Sequence, residues 1–100
     1  MATTPETKLW LAVIQQALWD LVTPPGEAIE PAEHRRVRHW FFHPRSRPDF
    51  TEVCERAGLE PRRVERIARE MRRAFRATTS PKQRARVIKA ACVATELAAA

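Results

Sequence analysis

The chain has no tyrosine, two glycines and two cysteines, and its first third is almost devoid of basic residues. Each scarcity excludes something. With so little glycine and almost no strand signal, a sheet is not expected. Cys54 and Cys92 lie far apart and lack metal-type spacing, so neither a zinc site nor a disulfide framework is indicated. Both fall within helical apolar patterns, which suits buried, reduced thiols in a cytoplasmic chain. No basic stretch leads into an apolar h-region, and no apolar run is long enough to span a bilayer, so no membrane association is expected. There is no Gly-rich phosphate loop, no Ser or Cys nucleophile beside a plausible base, and no pair of carboxylates in an apolar frame. The reading is therefore not an enzyme, and no cofactor or metal is implied.

What is present is arginine, unevenly distributed. Residues 1–33 carry Lys8 against Glu6, Asp20, Glu27, Glu30 and Glu33, a net of −4, whereas residues 34–100 carry a net of +10. Nearly all the bases are Arg, whose planar fork matches phosphate oxygens and guanine edges. A basic half on a small domain is the footprint of a polyanionic partner, although a solubilising surface looks the same from charge alone.

Helical periodicity fills nearly every segment, and prolines mark the boundaries. The expected architecture is all-α, with four to five short helices and a central helix-turn-helix. The first helix should run from about Pro5 to Val22, capped by Thr4, with Trp10, Val13, Ile14, Ala17, Leu18, Leu21 and Val22 on one face. The second should begin near Pro31, bury Val37, Trp40 and Phe41, and end at His43-Pro44. Arg45-Ser46-Arg47-Pro48 reads as a basic loop. The third should start at Asp49, which has capping-box spacing to Glu52, and close at Gly58. The fourth should run from Pro61 to about Ala77 on a stripe of Val64, Ile67, Ala68, Met71 and Phe75. Ser80-Pro81-Lys82-Gln83 starts a last helix reaching about Leu97 with a weak Ala-rich face. The organisation is then a helical domain over residues 1–77, containing the helix-turn-helix at 49–73, and a basic Ala-rich helix or tail over 78–100. No glycine-bearing hairpin follows the fourth helix, so no β-wing is expected.

The spacing from 49 to 68 carries the functional reading. A helix-turn-helix needs a small residue midway in its first helix (Cys54), a sharp turn four residues later (Gly58), an apolar plug (Leu59), and inward apolar residues along its second helix (Val64, Ile67). The segment resembles the helix-turn-helix DNA-binding superfamily over about a quarter of the chain, with Cys in place of the commoner Ala. Phe50, Val53, Cys54, Gly58, Leu59, Pro61 and Val64, preceded by an aromatic-rich helical pair, are also similar to short regulators of bacterial prophages and gene-transfer-agent loci. An ordinary helical hairpin is the competing account. Against it stand the like charges at i,i+4 on the fourth helix, each pair costing about 0.2–0.5 kcal/mol.

The resemblance implies duplex DNA as partner and a transcriptional regulator, activator or repressor, associated with the nucleoid. Arg62, Arg63 and Arg66 would read bases in the major groove. Arg45, Ser46, Arg47, Thr51, Arg69 and Arg73 would meet the phosphate backbone, with Lys82, Arg84 and Arg86 extending that footprint. Glu60 and Glu65 would discriminate against wrong bases or simply accept from cytosine. The last helix has a competing use in a homodimer. Two other functions stay open. One is recognition of phage DNA in packaging, as by a small terminase subunit. The other is an interaction module whose acidic, aromatic N-terminal third docks RNA polymerase. Phe42 and Trp19 lie off the main stripes and are candidate partner contacts. His39 and His43 have i,i+4 spacing but no third ligand at hand, and capping or surface roles account for them better.

Overall fold

Six of the eight prolines stand at the start of a helical element, where a missing N–H costs nothing and the fixed φ suits the first turn. The computed structural model describes residues 4–99, and in it helices span Pro5–Val22 (α1), Pro31–Phe42 (α2), Arg47–Arg56 (α3), Pro61–Arg76 (α4) and Pro81–Ala99 (α5). The extreme ends of the two expected segments, residues 1–3 and 100, lie outside the described residues. A single 3-10 turn, Pro44–Ser46, leads into α3. The fold is all-α: among the described residues there is no strand, only an isolated bridge between Pro25 and Ile29 in the α1–α2 connection. No helix among them is long and apolar enough to cross a membrane.

Helix α1 is the axle. Ile14, Leu18, Leu21 and Val22 on one side of it are buried, and it touches all four other helices. Thr4 caps it, its Oγ1 accepting from the Thr7 N–H at 3.1 Å. Phe41 from α2, Phe50 and Cys54 from α3, and Val64, Ala68 and Met71 from α4 complete the core. Phe41 and Phe50 have no exposed surface; with Trp40 they form a trio of tilted rings with centroids 4.9–5.8 Å apart, the edge-to-face geometry that aromatic quadrupoles favour. Burial pushes the Cys54 thiol up to about 12, so it stays protonated as a small apolar side chain.

Helix α5 belongs to this core. It runs antiparallel to α4, with Arg84 near Phe75 at one end and Ala94 and Ala98 near Arg63 and Arg66 at the other. Ala91 and Thr95 are buried. Thr95 satisfies its hydroxyl by donating to the Cys92 carbonyl at 2.8 Å and accepting from Gln15 Nε2 of α1 at 3.1 Å.

Three local expectations are corrected. Helix α3 begins two residues early, at Arg47, so Asp49 is inside its first turn and caps nothing; its carboxylate instead accepts the Trp40 indole N–H at 2.7 Å. The segment 45–48 is helical rather than a loop. Val13, placed by its spacing on the inner face of α1, is 43% exposed because it flanks the buried stripe.

Candidate nucleic-acid interface

The corner between α3 and α4 is set by hydrogen bonds. The Leu59 N–H donates to the Cys54 carbonyl at 2.8 Å and the Gly58 N–H to the Glu55 carbonyl at 3.0 Å, the paired bonds of a Schellman motif. Gly58 takes φ +74°, the left-handed region in which a Cβ is strained. Leu59 is then driven into the core, 4% exposed, and Cys54 beside it is small enough to be wholly buried. A Cβ on Gly58 would meet only the Thr7 methyl at 3.7 Å, an ordinary contact. Gly58→Ala is therefore expected to lose about 1–2 kcal/mol through backbone strain alone, read as a lower urea midpoint. Gly58→Asn should lose less, and equal losses would show that the left-handed turn is not the cause.

Beyond the corner, α4 divides by its 3.6-residue period. Val64, Ala68 and Met71 face the core. Away from them lies a ridge of Arg62, Arg66, Arg69, Arg73 and Arg76, spaced four, three, four and three apart and all exposed. Of the residues expected to read bases, Arg62 and Arg66 stand on this ridge. Arg63 is exposed on the flank, beside a hollow shared with Arg66, Ile67, Glu70 and the end of α5. The first turn of α4 contains no acid, and no side chain caps it; Pro61 has no N–H to satisfy, and the Arg63 and Val64 N–H groups donate to the Glu60 carbonyl at 3.0 and 3.2 Å.

Glu65 is the counterweight on the other flank. Its Oε1 accepts from Arg69 Nη2 at 2.7 Å and its Oε2 pairs with Arg47 Nη2 at 2.9 Å. The hydrogen bond from Arg69, outweighing partial burial and helped by Arg47, holds the carboxyl below the usual carboxylate range. Glu65 thus ties α3 to α4 and keeps its charge.

The residues expected on the backbone separate into groups. Arg45, Arg73, Lys82 and Arg86 are exposed, while Thr51 is half-buried. Ser46 is engaged, its Oγ lying 2.8 Å from His39 Nδ1. Arg47 pairs with Glu65 and lies over the Phe50 ring at 5.1 Å. Arg84 turns inward over Phe75, at 5.3 Å, with its Nε shut off from water. His39 and His43 stack at 3.9 Å, and His43 Nδ1 accepts the Arg45 N–H. No group of three metal-ligating side chains occurs among the described residues.

Sequence reasoning missed the neighbours that α2 brings to the basic face. Arg69 and Arg72 of α4 both lie over the ring of Phe42, at 4.9 and 5.2 Å. Burial, with the like charges of Arg76, Arg38 and Arg69, lowers Arg72 from the ordinary guanidinium range. The Arg35-Arg36-Val37-Arg38 run was the available signal, but nothing in it says which helix it will meet. Comparisons of the chain with family models, with curated proteins and with solved structures find no match.

Proposed function

We propose that this protein binds duplex DNA with a preference for sequence, as a bacterial or phage-type transcriptional regulator, by laying α4 in the major groove. The observation that carries the reading is the arginine ridge, outward on the second helix of a tight helix–turn–helix and unneutralised along most of its length. Arg62, Arg66 and Arg73 have no carboxylate partner within 4.0 Å among the described residues. Like charges in such a row repel along the helix, and a phosphate backbone removes the repulsion while releasing counterions. The roles follow from position. Arg62 and Arg66, nearest the uncapped start of α4, are placed for guanine edges, where a bidentate fork discriminates among bases. Arg73 and Arg76, a turn or more further on, suit phosphates.

Binding-site selection from random duplexes at about 0.15 M salt tests this. The expected result is enrichment of a short motif containing guanine. Recovery of a pool indistinguishable from the input rejects sequence recognition.

A second reading has one observation of its own. Helix α1 leaves Leu9, Val13 and Trp19 between 43 and 63% exposed in the acidic third of the chain. These are candidates for docking a protein such as RNA polymerase. Retention of purified polymerase at a salt level that strips DNA would favour that role.

A further inference from the structure

Helix α2 and the C-terminal half of α4 flank an open cleft of about 550 Å³. Arg35 and Arg38 line it from α2, Arg69 and Arg72 from α4, with Phe42 between them and His39 and His43 at one end. No acidic side chain borders it. Only Arg69 has a carboxylate partner; Arg35, Arg38 and Arg72 have none within 4.0 Å among the described residues. Four guanidinium groups therefore share one hollow with a single counter-ion at its margin.

Folding alone gives no reason for this. Like charges brought together by tertiary packing disfavour the compact state unless something offsets them. Phe42 offsets part of it, because its π-face attracts both guanidiniums of α4. That contact also limits the side-chain freedom they would lose on binding an anion. Guanidinium forks held this way suit phosphate oxygens, which they engage in bidentate fashion.

Arg69 belongs to both surfaces: it stands on the α4 ridge and at the cleft's edge. The cleft is thus the sideways continuation of the ridge, on the α2 side. When a helix lies in a major groove, the phosphate strands pass along its two flanks. Resting on the DNA-binding reading above, we propose that this cleft is a phosphate site for the strand on the α2 flank. Arg38 and Arg72 contact backbone phosphates there, and Phe42 acts as a positioning residue that aims Arg69 and Arg72.

The test is duplex affinity as a function of salt. Each phosphate contact contributes about 0.9 to the slope of log affinity against log salt. The Arg38→Ala/Arg72→Ala variant is expected to lose about 1.8 from that slope while selecting the same motif. Arg38→Gln, a change at an exposed position, should lose about half as much, so the result does not hang on the fold of the double variant. Phe42→Leu keeps an apolar side chain but removes the π-face. It should lower duplex affinity, an effect restored by Phe42→Trp. Slopes equal to wild type in the arginine variants overturn the cleft and leave the reading helix standing. A wild-type protein that binds no duplex overturns both. Tripolyphosphate that saturates the cleft without weakening duplex binding also overturns the proposal, and assigns the hollow to a free oligophosphate.

Discussion

Phe50→Ala is expected to cost about 3–5 kcal/mol, the range for truncating a fully buried aromatic ring. Phe50 has no exposed surface, and its ring meets both Trp40 and Phe41. The truncation removes apolar burial and leaves a void at the junction of α2 and α3, in a core that cannot close around it cheaply. Arg47, whose guanidinium lies over the same ring, loses its apolar support as well. Because a domain of this size holds roughly 5–15 kcal/mol in total, the variant should be partly unfolded near body temperature. Urea denaturation followed by circular dichroism gives the result directly. A midpoint equal to that of the native protein would show that the aromatic trio is not a structural keystone.

The opposite pattern is expected on the ridge. Replacing Arg62, Arg66 and Arg73 by alanine should abolish sequence preference and take about 0.9 from the salt slope through Arg73, the one of the three assigned to a phosphate. A lost bidentate base contact adds about 1–3 kcal/mol at its own position. Stability should hold or rise. All three side chains are exposed and without ion-pair partners among the described residues. Alanine is the better helix former, and the repulsion between Arg62 and Arg66 and between Arg69 and Arg73 disappears, worth about 0.2–0.5 kcal/mol for each pair. Binding and melting temperature measured on the same preparation separate the two effects. If the melting temperature falls along with affinity, the ridge is structural and the DNA reading loses its support.

The helices were legible in the chain because their signals are local. Proline at the first turn, Thr4 at a cap and a 3.6-residue apolar period each act within a few residues. The corner at Gly58 was legible for the same reason, since a left-handed residue and the plug that follows it are adjacent in sequence. Tertiary contacts were not legible. Asp49 and Glu52 have the spacing of a capping box, but the Trp40 indole reaches Asp49 from another helix. Thr95 looks polar, yet Gln15 supplies its partner from 80 residues away, so it can be buried. For the candidate site, the charge of Arg62 and Arg66 and their place on α4 could be read from periodicity. What lies across from an arginine could not. Arg47 and Arg84 carry the same charge as their neighbours, but Glu65 and Phe75 take them up. Arg38 and Arg72 meet only because α2 and α4 pack together.

Because α1 is the axle of the bundle, the corner that aims α4 has no independent existence. The Thr7 methyl of α1 lies next to Gly58, Glu6 pairs with Arg56 at the end of α3, and Trp10 lies under the same arginine. A peptide cut to residues 44–77 would present its apolar stripe to water instead of to α1 and α5. Anyone wishing to graft the arginine-bearing rod onto another scaffold must carry over the face that α1 provides. The smallest transplantable unit is the whole bundle.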